Sequence, residues 1–223
     1  MISENNSLRD NGLIFFGKIN ASISHEIRNV LAVINENAGL IKDLLQMAEK
    51  GISLDPDRVT RGVENILAQV KRGDMIVGNM SKFAHSVDNP HASIDLGEYA
   101  ELITRIMSRF AAMKGVSLQY NPISEPIEIS TFPLDLENML HLCMDYAIAI
   151  AGDEKKISIT ATKKEDRLQI HLGGLKIYGE NQHNSDNFIT ENNMLLQSLD
   201  ARIIEDANTG TLILDLPYKI EVQ

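Results

Sequence analysis

From Leu13 to Met47 the chain contains no proline, and apolar residues recur there at a mean spacing of about 3.5 residues. One row runs Phe16, Ile23, Val30, Asn37, Leu44, and the other runs Asn20, Ile27, Ile34, Ile41, Ala48. A strand would alternate with period two. Two rows sustained over this length allow one outcome, a long helix packed lengthwise against other helices. Residues 51–56 interrupt it, with Asp55-Pro56 supplying an N-cap followed by proline at the first helical position. A second seam then reads Val59, Val63, Ile66, Val70, Gly73, Val77, Met80, Ala84, Val87, until Asn89-Pro90 ends it. Gly62, Gly73 and Gly78 weaken this helix, each by about 1 kcal/mol relative to alanine where exposed. Residues 1–90 are therefore expected to form an antiparallel helical hairpin. Its open side carries an apolar stripe, which a second copy would cover in a dimeric four-helix bundle. Burial against the C-terminal half is the other way to cover it.

After Pro90 the texture changes. A helix is expected over about 96–114, stopped by Gly115, and another over about 134–151, stopped by Gly152. Short strands are expected at 116–120 and 126–130, with a hairpin of 156–162 and 167–172 around K-K-E-D. Residues 179–186 read as a polar loop, followed by a helix near 191–199 and strands at 201–206 and 211–216. Interleaved strands and helices make 91–223 a small α/β sandwich, and the fold class of the whole α+β. No internal repeat is present.

Composition removes several functions. The net charge of −10 argues against a nucleic-acid-binding surface. No uncharged apolar run reaches the length of about 18 residues that a transmembrane helix needs. The start, MISENNSLRDNG, lacks the basic and apolar regions of a signal peptide. Cys143 is the one cysteine, so no internal disulfide forms, and a cytoplasmic location is the simplest expectation.

Within the first helix, residues 22–30 read S-I-S-H-E-I-R-N-V. His25 falls at the position of the heptad furthest from the seam. A lone helix histidine is by default a solvated surface residue, and Glu26 and Arg28 ordinary surface charges. The set says more. An exposed imidazole, with a reference pKa near 6.5, is substantially neutral and nucleophilic around neutral pH. An adjacent carboxylate can accept one ring N–H and leave the other nitrogen able to attack phosphorus. Asn29 lies one turn along the same face, where its amide can orient water or a phosphoryl oxygen.

The run F-F-G-K-I-N-A-S-I-S-H-E-I-R-N resembles the phosphoacceptor box of two-component sensor histidine kinases, F-x-x-x-(I/V)-S-H-E-(I/L)-(R/K)-(N/T)-P-L. The match is unbroken from Ser24 to Arg28 and sits on the first helix of the hairpin. The resemblance implies that His25 accepts the phosphoryl group, that Glu26 is its base and orienter, and that Asn29 occupies the position linked to phosphatase activity on response regulators. Val30 stands where the family has a helix-kinking proline. Arg28 and Ala32, on the turns that follow, would lie beneath a docked response-regulator receiver domain.

The C-terminal half resembles the family's ATP-binding domain more weakly. L-D-L-E-N-M-L-H-L-C-M-D-Y-A-I-A is similar to the helix carrying its magnesium- and phosphate-coordinating asparagines, but His141 and Asp145 stand at those positions. The strand L-Q-I-H-L runs into Gly173-Gly174-Leu175 where D-x-G-x-G belongs, and Thr190, Glu191, Asn192 and Asn193 replace the glycines of the last motif. Three altered motifs argue against ATP-dependent kinase activity. Resemblance therefore implies a dimeric histidine phosphotransferase, relaying phosphoryl groups between receiver aspartates through His25. It would bind no cofactor of its own, the receiver bringing the magnesium. The competing readings are a receiver phosphatase using Asn29, and a pseudokinase that binds a receiver or kinase without transfer. His85, His91, His171 and His183 have no ligand spacing and read as surface or loop residues. Cys143 and Met144 read as core, and Lys71-Arg72 as a solvated pair.

Overall fold

In the computed structural model, which describes residues 2–122, 125–177 and 182–220 and, except for 2–11 and 182–185, their side chains, the two heptad-patterned segments are helices α1 (Ile2–Glu49) and α2 (Pro56–His85). The chain divides into two compact units, residues 16–83 and residues 1–15 with 84–223.

The first unit is the hairpin. Its pairing is fixed by contacts that climb α1 while descending α2. The Phe16 ring stacks on Phe83 at 5.2 Å, Val30 faces Gly73, Asn65 donates to Asn37 at 3.2 Å, and Ile41 faces Gly62. A Cβ at Gly62 would stand 3.0 Å from Ile41 Cγ1, and one at Gly73 would stand 3.4 Å from Val30 Cγ1. At Gly62 the Ile41 side chain lies too close for a Cβ to fit without a shift, which explains a residue that propensity alone counts as a defect. At the turn, Asp55 Oδ1 accepts from the Asp57 N–H at 3.0 Å and caps α2.

Of the two rows of the expected α2 seam, Val59, Ile66, Gly73 and Met80 are half-buried, while the other row is displaced by one residue. Gly62, Ile76 and Phe83 are buried, whereas Val63, Val70 and Val77 are exposed. The valines, with Leu67, form a second stripe on α2; Leu31 and Leu45 are exposed on α1. The hairpin thus closes on one row and presents another.

The second unit is an α/β sandwich. Strand β1 (Ala92–Asp95) pairs antiparallel with β3 (Glu128–Thr131). A five-stranded mixed sheet runs in the order β2 (Ser117–Tyr120), β4 (Lys156–Lys163), β5 (Arg167–Gly173), β7 (Thr211–Pro217), β6 (Arg202–Asp206). Only β2–β4 is parallel. Helices α3 (Leu96–Met113) and α4 (Pro133–Ala149) pack against this sheet. Ile157, Ile159 and Ala161, then Leu168, Ile170 and Leu172, then Leu212, Leu214 and Leu216 fill the covered face with the period of two expected of strands buried on one side. Leu102, Ile103 and Met107 of α3 and Leu136, Met139, Leu140 and Met144 of α4 complete the core.

Local chemistry sets the boundaries. Asp95 ends β1 and caps α3, its Oδ1 accepting from the Gly97 N–H at 2.7 Å. Gly115, at φ +70, takes the left-handed conformation that ends α3. The expected polar loop at 179–186 falls partly outside the described residues. From Gln182 the chain is helical, as α5 (Gln182–Glu191), followed by α6 (Asn193–Ser198). α5 was hidden by its composition, QHNSDNFITE, which carries too few apolar residues to mark a face.

Candidate functional site

His25 lies in the middle of α1 on the exposed side of the hairpin helix, because Ile23 and Val30, two residues before it and five after, are buried. Among the described residues its ring has no hydrogen-bond or ion-pair partner. Ser24, Arg28, Asn29 and Ala32 are exposed as well, while Glu26 and Ile27 are half-buried. Successive helix residues turn by about 100°, so His25, Arg28, Asn29 and Ala32 share one outward face and Glu26 points toward its flank. The structure therefore brings His25 together with Arg28, Asn29 and Ala32 on a solvent-facing surface, with Glu26 half-buried at its flank. An imidazole so placed can meet a reactive group on a convex partner without displacing protein atoms.

Of the two α4 positions singled out by the resemblance, His141 is half-buried among side chains and Asp145 is exposed with one ion pair. His141 Nδ1 lies 2.9 Å from Met107 Sδ, and its ring sits 5.1 Å from that of Phe15, which is buried. Residues 12–15 of α1 belong to this unit, and a Cβ at Gly12 would meet Leu134 of α4 at 3.7 Å. The Asp145 carboxylate accepts from Lys114 Nζ at 3.2 Å. Tyr146 stacks on Phe188 of α5 at 4.8 Å and donates its hydroxyl to Glu205 Oε1 at 3.1 Å. Burial and the Glu205 carboxylate push the Tyr146 phenol up to about 12, so it stays a donor.

The glycine pair has a structural reason. Gly174 adopts φ +91, and a Cβ there would lie 2.2 Å from the Lys156 carbonyl oxygen. Its own carbonyl accepts from the Gly152 N–H at 2.9 Å. Residues 190–193 close α5 and open α6, with Thr190 Oγ1 donating to the Asp186 carbonyl and Asn192 Nδ2 to that of Phe188. Side chains here bond back into the helix, where a nucleotide site needs bare backbone N–H groups. Among the described residues no three His, Cys, Asp or Glu side chains gather as a metal site.

One buried acid carries no signal in the sequence. Glu137 of α4 is 0% exposed, and neither carboxylate oxygen has a hydrogen-bond partner among the described residues. Burial pushes its pKa up to about 8, and the nearby Ser86 hydroxyl draws it back only in part. The Cys143 thiol, wholly buried, is pushed up to about 12 and is inert.

No protein-family model matches the chain, and no curated protein is significantly similar to it. Among solved structures, the chain aligns with the nucleotide-free catalytic domain of histidine kinase ThkA at 14% identity and a TM-score of 0.49, over 59% of this chain and 99% of that one. The Acinetobacter baumannii histidine kinase AdeS aligns at 13% identity and TM-score 0.44, over 82% of this chain and 95% of that one. Full-length ShkA, in complex with AMPPNP, aligns at 12% identity and TM-score 0.44, over 88% of this chain and 47% of that one. No described helix is long and apolar enough to cross a membrane.

Proposed function

We propose that this chain is a histidine phosphotransferase of a two-component phosphorelay, with His25 as the intermediate acceptor. The observation that carries the reading is the run Ser24–Asn29 on a hairpin helix, with His25 on its outward face. The replacement of the coordinating asparagines by His141, held against Phe15 and Met107, and by Asp145, supports a chain that relays phosphoryl groups rather than drawing them from ATP. Phe15, Met107 and Lys114 occupy the side chains that stand at the family's coordinating positions.

The chemistry is a reversible displacement. The unprotonated ring nitrogen of His25 attacks the phosphorus of a receiver aspartyl phosphate; the P–N bond forms, the P–O bond breaks, and the aspartate leaves as a carboxylate. A second receiver's aspartate reverses the step. Transfer passes through a loose in-line transition state, so the bundle's task is to position the partners. Arg28 and Ala32 lie under the docked receiver. Glu26 accepts the remaining ring N–H once docking draws the two side chains together. The receiver brings the magnesium ion that screens the phosphoryl oxygens. The chain is a homodimer and works in the cytoplasm, the stripe Val63, Leu67, Val70 and Val77 covered by the same stripe of a second copy.

Asn29, exposed one turn from His25, favours a second reading, a phosphatase that aims water at the receiver's aspartyl phosphate. Incubation with a phosphorylated receiver separates the two. Label appearing on His25 supports transfer, and release of inorganic phosphate without a labelled chain supports hydrolysis. Complex formation with neither leaves a binding protein.

A further inference from the structure

Strand β6 is an edge of the five-stranded sheet, and among the described residues it pairs only with β7. Native edges are usually short, charged, bulged or covered, because an open row of N–H and C=O groups recruits further strands. β6 is charged at its ends, Arg202 and Asp206, yet its centre is Ile203-Ile204, and Ile204 is 42% exposed. The register shows what a further strand would meet. Ile203 ends the cross-sheet row Ala161, Ile170, Leu214, whose other members are buried on the helix-covered face. Next to it lies an open cavity of about 280 Å³, lined by Ile189, Leu196, Ala201 and Ile203, by the amides of Asn193 and Gln197, and at its rim by Asp200 and Arg202. The cavity is large enough to take one apolar side chain. It adjoins Ile203, the last residue of that row.

We propose that the β6 edge is a docking site for an extended peptide segment, which adds a strand to the sheet and seats one apolar side chain in this cavity. Strand addition draws affinity from main-chain hydrogen bonds and specificity from pockets that take alternate side chains. The chemistry of the occupant follows from the neighbours. The residue opposite Ile203 is apolar and fills the cavity. The residue opposite Arg202 lies on the open face and is acidic, because the exposed Arg202 guanidinium has no partner among the described residues. Asp206 attracts no comparable cation, its carboxylate being engaged by the Asn208 and Thr209 N–H groups and the Thr209 hydroxyl. Glu205 is engaged by Tyr146. A β-branched residue opposite Ile204 completes the pattern, an antiparallel Val-Leu-Glu. The site is independent of His25.

The probe is acetyl-Thr-Thr-Val-Leu-Glu-Thr-amide, titrated into the full-length chain while backbone amide and Ile and Leu methyl resonances are followed. The expected result is saturable shifts in the amides of β6 and the methyls of Ile189, Leu196 and Ile203, unchanged in the His25→Gln protein. Gln197→Trp, on an exposed helix position, fills the cavity and weakens binding by about tenfold or more, the loss of one buried leucine side chain. Arg202→Glu weakens the probe, and a peptide with Lys in place of Glu restores it. The proposal is overturned if millimolar peptide moves none of these resonances, or if a peptide with Asp in place of Leu binds as well. It is also overturned if β6 shifts with protein concentration alone, since a second copy would then own the edge.

Discussion

At the scale of single residues, the buried Glu137 gives the sharpest pH signature. Its carboxyl moves from an ordinary value of 4.5 to about 8 on folding. Between those values the folded chain holds a proton that the unfolded chain has released. Stability from this group is therefore greatest at acid pH and falls as pH rises from 4.5 toward 8, by at most about 1.4 kcal/mol per unit. Glu137→Gln should flatten that slope and be more stable than the natural chain at pH 8, as read by urea unfolding across the pH range. An unchanged slope would place the titrating group elsewhere. His25 differs in kind: it contributes little packing, so its role is visible only in chemistry. Glu26→Ala should slow receiver-to-His25 transfer by about 10²–10⁴-fold, as for a lost acid–base partner, while receiver binding persists. Asn29→Ala should act mainly on hydrolysis.

At the scale of elements, the helical glycines separate into two kinds. Gly62 is held against Ile41, whereas a Cβ at Gly78 would meet nothing within 4 Å. Gly78→Ala should stabilise the hairpin by about 1 kcal/mol through helix propensity, and Gly62→Ala should gain less or lose, both read as thermal midpoints. Equal gains would mean the helices do not approach closely at Gly62. These glycines also show how far the sequence can be read. The long heptads of α1, the start of α2 at Pro56 and most strands of the sandwich are written in local patterns. The buried row of α2 is not, because Gly62 has no side chain to mark it beside the row Val63, Val70, Val77. Backbone approach that needs a missing side chain leaves no apolar mark. β1 is too short to display a period, and α5 is helical where its own composition is silent, with Phe188 stacked on Tyr146. For the candidate site, the exposure of His25 followed from its heptad position. The packing of His141 against Phe15 and Met107 did not, because those residues lie far apart in the chain.

At the scale of the whole molecule, the proposed relay requires two copies and no nucleotide. The stripe of Val63, Leu67, Val70 and Val77 is exposed in the single hairpin. Light scattering at micromolar concentration should give twice the 24.8 kDa of one chain, and Leu67→Asp should return it to one chain without unfolding, since that side chain is not buried within the hairpin. A monomer at all such concentrations would remove the four-helix bundle. Calorimetry with ATP and magnesium should show no binding below the millimolar range, and a micromolar constant would revive the kinase reading. The most direct test of the central claim is transfer from a radiolabelled, phosphorylated receiver to the natural chain and to His25→Gln, with both proteins shown to be folded and to bind the receiver. The account predicts an acid-labile, alkali-stable label on the natural chain and none on His25→Gln; label retained by His25→Gln would contradict it.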